Sequence, residues 1–266
     1  MTIINRDTPG LVEKDDFYFL DGDIFSSDGV DIDLVAGAKK ALSVSGRIVS
    51  TGGISSSVSL SALSIVISGE DGILSVNGKL DVEDSVSVRG NILARDIRVG
   101  QKLLSSGEIL SYGDIIAGSS IRSEEAIRSG GDICSESINS GSSILCEGDL
   151  VSKSCVSTWD TSVTGDMNSD YIEAGGSLSV GGNLTSKDHV LCTEGIVCGG
   201  SFSGGTVETT LIDVGKEMSV SVLDVTRKAI IGKTLTAEEI IGAGEIVQNA
   251  GKKDKGSKKP SPGMMS

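Results

Sequence analysis

A glycine, followed by Asp, Asn or Ser and then by a large apolar residue, recurs at nearly constant spacing along the chain. Examples are Gly113-Asp114-Ile115, Gly131-Asp132-Ile133, Gly148-Asp149-Leu150, Gly165-Asp166-Met167, Gly182-Asn183-Leu184 and Gly200-Ser201-Phe202, each step being 17 or 18 residues. Self-similarity at a fixed period is typical of repeat architectures, in which stacked units share one continuous core. The spacing therefore predicts a solenoid.

Each step contains two further apolar residues, so an apolar position, here called an anchor, occurs every five or six residues. Three anchors per step predict three short strands per coil. The central anchors are Ile115, Ile121, Ile127, Ile133, Ile138, Ile144, Leu150, Val156, Met167, Ile172, Leu178, Leu184, Val190, Ile196 and Phe202. The flanking anchors are Ile48, Ile54, Ile73, Leu80, Val86, Ile92, Ile97, Leu103, Ile109, Val207, Ile212, Met218, Ile230, Leu235, Ile240 and Ile246.

A small residue follows most anchors by two positions. Because side chains alternate across a strand, anchor and small residue point to the same side, which we interpret as the lumen of the coil. The small residues are Ala117, Ser123, Ser129, Ser135, Ser140, Cys146, Ser152, Ala174, Val180, Ser186, Cys192 and Cys198. A narrow lumen also explains why aromatic residues make up only 3% of the chain.

The predicted fold is all-β: a single-stranded parallel β-helix (β-solenoid) over residues 22–247, with three short strands per coil of 17 or 18 residues. About 13 coils stacked about 4.8 Å apart would form a rod of about 60 Å. Residues 1–21 are predicted to cap one end, with Phe17, Tyr18 and Phe19 as candidate contact residues. Residues 248–266 are predicted to form a disordered lysine-rich tail that includes Lys252 and Lys253.

The formal charge of −14 is distributed unevenly. After Gly251 five lysines and Asp254 give +4, which leaves −18 for the body. We therefore expect no nucleic acid on the body, and only a weak contact of the tail with an anionic partner. Cys134, Cys146, Cys155, Cys192 and Cys198 lack the spacing of a zinc site and are interpreted as reduced thiols of a cytoplasmic protein. No signal peptide or bilayer-spanning run is recognised.

Candidate chemistry is sparse. Asp114, Asp132, Asp149 and Asp166 should stack along one corner, where each carboxylate is expected to accept hydrogen bonds from its own turn; a row of cations is the alternative. The single histidine, His189, should lie near the outside of a coil as a surface residue. Its alternative role is the general base of a hexapeptide-repeat acyltransferase. No Ser-His-Asp set or phosphate loop is recognised, so we expect no enzyme, no metal site and no cofactor.

The anchor pattern is disturbed between Val156 and Met167, where the only tryptophan, Trp159, occurs. This irregularity predicts a bulge or short loop with Trp159 on the outside of the rod. Exposed tryptophan is enriched in protein interfaces, so Trp159 is a candidate partner contact.

The runs Gly90-Asn91-Ile92-Leu93-Ala94 and Gly113-Asp114-Ile115-Ile116-Ala117 resemble the rungs of bactofilins. This resemblance implies a right-handed triangular β-helix that polymerises end to end without nucleotide and serves as a cytoskeletal scaffold. The expected partner is thus a second copy, end to end or side by side, or another protein. The alternative function is an acidic recognition rod that binds and inhibits a basic partner or mimics nucleic acid.

Overall fold

The computed structural model describes residues 1–34, 41–70, 72–242 and 244–249. These residues contain thirty strands and no helix, and parallel stacked coils form a β-solenoid of about 12 turns, which confirms the predicted fold class. The first fifteen strands are β1 (Thr2–Ile4), β2 (Leu11–Glu13), β3 (Tyr18–Leu20), β4 (Ile24–Ser26), β5 (Val30–Ile32), β6 (Ala41–Val44), β7 (Arg47–Ser50), β8 (Ile54–Ser56), β9 (Ser59–Ala62), β10 (Ser64–Ile67), β11 (Leu74–Val82), β12 (Val86–Val88), β13 (Ile92–Val99), β14 (Lys102–Ser105) and β15 (Ile109–Ser111). The others are β16 (Ile115–Ala117), β17 (Ser120–Ser123), β18 (Ile127–Ser129), β19 (Ile133–Cys134), β20 (Ser137–Ser140), β21 (Ile144–Cys146), β22 (Leu150–Ser157), β23 (Thr161–Val163), β24 (Met167–Ala174), β25 (Ser177–Val180), β26 (Leu184–Cys198), β27 (Phe202–Val214), β28 (Met218–Ile231), β29 (Leu235–Ile241) and β30 (Glu245–Gln248).

The strands pile into three faces. Face 1 contains β1, β5, β8, β15, β18, β21, β23, β25 and β30; face 2 contains β3, β6, β9, β16 and β19; face 3 contains β4, β7, β10, β12, β14, β17 and β20. The longer strands, such as β26, continue around one or two corners and belong to more than one face. Among the described residues the strands of successive coils pair in parallel, and the antiparallel pair is the hairpin of β2 and β3.

The register confirms that anchors stack directly above one another. Ile115 pairs with Ile133, and Ile133 pairs with Leu150, all on face 2 and all fully buried. The twelve predicted small residues are buried as well, from Ala117 at one end to Cys198 at the other. The core is thus a column of aliphatic side chains with a second column of small ones beside it.

Three predicted anchors are wrong by one residue. Cys155 is fully buried where Val156 was predicted, Leu74 replaces Ile73, and Ala229 replaces Ile230. In each case a β-branched neighbour points outward, while a residue without a β-branch matches the anchor of the adjacent coil. Hydrophobicity alone therefore misassigned the face, because a one-residue slip reverses every side chain.

The early coils are longer than the predicted period. Val30 pairs with Ile54, a step of 24 residues, and Ile54 pairs with Leu74, a step of 20. From Ile92 to Ile109 the step is 17, as in the central repeat. Stacking also starts before residue 22, since β1 pairs with β5 and β3 pairs with β6. At the other end, residues 250–266 lie outside the described part of the chain.

Candidate interaction surfaces

The Asp and Asn residues of the repeated dipeptide connect successive coils at the corner between faces 1 and 2. The backbone N–H of Asp132 donates to Oδ1 of Asp114 at 2.9 Å, and the same bond recurs one coil later each time. In each further bond a backbone N–H donates to the side-chain Oδ1 one coil earlier: Asp149 donates to Asp132 (2.8 Å), Asp166 to Asp149 (2.7 Å), Asn183 to Asp166 (2.6 Å) and Ser201 to Asn183 (3.0 Å). We call Asp114, Asp132, Asp149, Asp166 and Asn183 the Asx ladder. The predicted bonds within each turn are wrong, because the donor belongs to the next coil.

The glycine before each of these residues provides space. A Cβ on Gly131 would overlap Oδ1 of Asp114, which has to pass that point to reach the N–H of Asp132. Gly131 does not have a left-handed backbone, so the close approach, not φ, excludes a side chain. The Gly-Asp dipeptide is therefore one functional unit: glycine admits the carboxylate of the previous coil, and aspartate offers one to the next.

The same arrangement occurs at the other two corners of the coil. Asn91 accepts the N–H of Glu108 at 2.8 Å, and Asp160 accepts that of Ser177 at 2.7 Å, both between faces 3 and 1. Asp23 accepts the N–H of Arg47 at 2.7 Å between faces 2 and 3. Each acceptor faces a glycine of the following coil, namely Gly107, Gly176 and Gly46.

The small lumenal residues also connect coils. Ser129 Oγ donates to the carbonyl of Gly113 at 2.6 Å, and Cys146 Sγ lies 3.3 Å from that of Gly131. A hydroxyl and a thiol thus serve the same position, since each is small and can donate to a turn carbonyl. Burial raises the pKa of the Cys146 thiol to about 11 and that of Cys155 to about 12, so both stay protonated at neutral pH.

Four carboxylates of the Asx ladder carry uncompensated charge. Asp114, Asp132, Asp149 and Asp166 are exposed, and none of them has a Lys or Arg within ion-pair distance among the described residues. At about 4.8 Å spacing, each neighbouring pair repels by about 1 kcal/mol in water. The same part of the chain contains no cluster of three metal-ligating side chains. This row is therefore an electrostatically negative edge of face 2.

The opposite edge of face 2 is balanced. Lys153 Nζ lies 2.7 Å from Glu136, and Lys187 Nζ lies 2.8 Å from Asp170, one pair above the other. The lysine beside it lowers the pKa of the Glu136 carboxyl, and Glu136 raises that of the Lys153 ammonium. The two edges of one face thus differ in charge.

An apolar strip lies between these edges. Ile116, Cys134 and Val151 pair with one another across three successive coils, and all three side chains point outward and are exposed. They line a shallow depression of about 470 Å³ together with Lys153 and Asn168. Cys134 is the exposed one of the five free cysteines. We call Ile116, Cys134 and Val151 the apolar strip.

The two ends of the rod differ. Ile4, Tyr18 and Ile24 in the first coil are buried, and β2 folds back on β3. In the last coil, Ile240 and Ile246 occupy anchor positions above Leu223 and Ala229, yet they are 49% and 39% exposed. Among the described residues, β29 and β30 pair with β28 alone. As far as residue 249, the C-terminal end is thus an open sheet edge with uncovered anchors.

The candidate contact residues fall in different places. Trp159 lies in the turn between β22 and β23 at the corner between faces 3 and 1 and is 61% exposed, and its coil keeps the regular pairing of its neighbours. The expected bulge is therefore wrong; Cys155 and Thr161, as anchors of this coil, obscured the pattern. Tyr18 is buried, whereas Phe17 and Phe19 are half-buried beneath the Lys14 ammonium. Lys252 and Lys253 lie outside the described residues.

His189 is half-buried near the outside of face 3. Its ring stacks on Tyr171 with centroids 6.1 Å apart, and Nε2 lies 3.9 Å from Glu208. Tyr171 donates to Glu173 at 2.7 Å, and this bond raises the pKa of its hydroxyl. The site combines an imidazole with carboxylates and a phenol on an open surface.

The chain matches no family model, no curated protein and no solved structure. No helix among the described residues is long and apolar enough to cross a membrane.

Proposed function

We propose that this protein is a non-catalytic cytoplasmic scaffold rod, similar to bactofilins, that self-associates end to end through its C-terminal coil. The observation that carries the proposal is the exposure of Ile240 and Ile246 at anchor positions, on strands that pair on one side only among the residues described. Five free cysteines, four of them buried, support a reducing compartment.

The asymmetry of the ends favours a dimer over a filament. The anchors of the first coil are buried, so the N-terminal end offers no apolar surface to the exposed anchors of the C-terminal coil. The exposed anchors of one copy therefore pack against those of a second copy. Such a self-complementary contact closes with two-fold symmetry and does not extend. Burying a half-exposed isoleucine contributes about 1 kcal/mol, so four of them contribute about 4 kcal/mol, to which backbone pairing of the two edges adds. The proposed unit is therefore a rod of two copies joined at their C-terminal ends.

Replacing Ile240 by lysine tests this proposal, because it places a charge in the middle of the contact. We expect the wild-type protein to have twice the monomer mass by light scattering, and Ile240→Lys to be a monomer with unchanged circular dichroism. Ile116→Lys is the matched control, since Ile116 is also an exposed isoleucine but lies on a side face. A wild-type monomer at high micromolar concentration would refute the proposal, and filaments in electron micrographs would refute its two-copy form.

The uncompensated Asp row supports a second candidate function, the recognition and inhibition of a basic partner. Four adjacent carboxylates that have no cation beside them in the described structure repel one another, whereas the charges on the other edge of the same face are paired. Titration with a lysine-rich peptide at low and high ionic strength tests it. Binding that weakens steeply with salt supports the function, and binding unaffected by Asp→Asn substitutions along the row contradicts it.

A further inference from the structure

Face 2 carries an exposed apolar strip, bordered by carboxylates that have no cationic partner within the described part of the chain. The chain itself contains a segment of matching chemistry. Residues 250–266, here called the lysine tail, include five lysines and end in Met264-Met265-Ser266. We propose that the lysine tail docks on its own rod, with its lysines along the Asx ladder and Met264 and Met265 on the apolar strip. This inference goes beyond the scaffold proposal and supplies an internal competitor for the basic partner of the second candidate function.

The starting point of the tail favours this route. The N–H of Asn249 donates to Ile231 in the coil below, at the corner between faces 1 and 2. This is the corner that carries the Asx ladder further along the rod. The tail therefore leaves the described structure at the top of the column that contains Asp166, Asp149, Asp132 and Asp114.

The length of the tail fits the distances. Asp166 lies five coils from Asn249 and Asp114 lies eight, which correspond to about 24 and 38 Å. An extended chain covers about 3.3 Å per residue, so Lys255 and Lys259 reach about 20 and 33 Å from Asn249. In an extended chain Met264 and Met265 would lie about 50 Å from Asn249. The apolar strip lies about 29 to 38 Å from Asn249, so the tail is long enough for both methionines to reach it.

Charge complementarity favours the lysine tail, and not a second copy of the rod, as the occupant of face 2. If two rods met at face 2 with their axes parallel, Asp132 and Asp166 would approach Glu136 and Asp170 of the other copy, which lie in the same coils. If they met with axes antiparallel, the Asp row would face itself. Lys153, the lysine nearest the strip, is already paired with Glu136. The lysine tail brings cations to this face without these repulsions.

Cys134 offers a direct readout, because it lies in the middle of the strip and the other four thiols are buried. At low ionic strength we expect a neutral maleimide to modify Cys134 about fivefold more slowly in the full chain than in a variant lacking residues 250–266, since exposed ion pairs are individually weak but several act together. The difference should disappear above about 0.5 M salt, where screening is nearly complete.

Two variants identify the contacts. Asp114→Asn, Asp132→Asn and Asp149→Asn together remove charge but keep Oδ1, the atom that Asn183 already uses in the ladder. Replacing the five tail lysines by glutamine removes the other partner. Both should react as fast as the truncated chain. Equal rates for full and truncated chains at low salt, or protection that survives the Asn substitutions, would overturn the proposal. So would protection that falls on dilution of the protein, because the tail would then act between copies. Since neither Ile240 nor Ile246 is altered, the dimer test remains independent.

Discussion

Replacing Gly131 by alanine tests the Asx ladder at a position where one contact decides the outcome. The added Cβ would overlap Oδ1 of Asp114, whereas the nearest backbone atoms, in Gly113 and Asp114, would lie at 3.1 and 3.2 Å and need to yield only slightly. The carboxylate must therefore swing away and give up its bond to the N–H of Asp132.

The magnitude follows from two opposing contributions. A hydrogen bond to a charged group contributes about 1.5–3 kcal/mol net, and the lower part of this range applies because Asp114 and Asp132 are exposed. Alanine restricts the unfolded chain and returns about 0.4–1 kcal/mol. We expect Gly131→Ala to lower the free energy of unfolding by about 1 kcal/mol.

A double-mutant cycle separates the carboxylate from other effects. Asp114→Ala loses the same bond, so adding Gly131→Ala to it should cost nothing further, and the two changes should be strongly non-additive. Asp114→Asn keeps the acceptor and should stay within about 0.5 kcal/mol of the wild type. Urea unfolding measures these energies, and amide exchange of Asp132 reports the bond locally.

Gly195→Ala is the control for glycine loss as such, because its Cβ would lie 3.3 Å from Leu211 Cβ and would meet no carboxylate. Additive costs in the cycle would refute the reasoning. A Gly195→Ala cost as large as that of Gly131→Ala would refute it as well.

Three further predictions concern the interior. Ser50→Ala should stabilise the protein by about 1 kcal/mol in urea unfolding, because its buried hydroxyl has no partner among the described groups, whereas Ser129→Ala should cost about 1 kcal/mol; the opposite order would contradict the account of the small column. Thr161→Val should cost about 1 kcal/mol, because it removes the bond from the buried Thr161 hydroxyl to Ser157 Oγ at 2.8 Å; a stabilised variant would contradict this. Burial raises the pKa of Cys155 from 9.0 to about 12, so its stabilising effect is complete below pH 9 and is lost as the pH rises towards 12. At pH 10 the loss is about 1.4 kcal/mol, which Cys155→Val should abolish; equal alkaline sensitivity of both proteins would refute this.

The period of the sequence predicted the solenoid because each coil repeats the same demand for three lumenal anchors. Ile115, Ile133 and Leu150 stack as expected, since large aliphatic residues at a fixed phase have only one buried place to occupy. The prediction failed where the anchor is small or polar. Cys155 and Thr161 are anchors because they pair with the anchors of the adjacent coil, Ile138 and Ile144. A search for large apolar residues does not detect such positions.

The candidate surfaces were less accessible to sequence reasoning. The Gly-Asp dipeptide signalled a corner, but the partner of each carboxylate lies 17 or 18 residues away and emerges only when the coils are superimposed. Ile116, Cys134 and Val151 are the residues directly after their anchors, so stacking Ile115, Ile133 and Leu150 would have placed them together on the outside. The open C-terminal end depends on which strands pair, and Ile240 was predicted as an ordinary anchor.

The bond from one coil to the next has the same form at the five steps from Asp114 to Ser201, so the gene can add or remove one coil at a time in this part of the rod. Excising residues 132–148 would join Gly131 directly to Asp149, whose N–H would then find Asp114 where it formerly found Asp132. Both the donor and the glycine clearance would be restored at the new junction. Duplication or loss of one coil would change the distance between the two ends of the rod by one coil spacing, and the packing of the interior would stay the same.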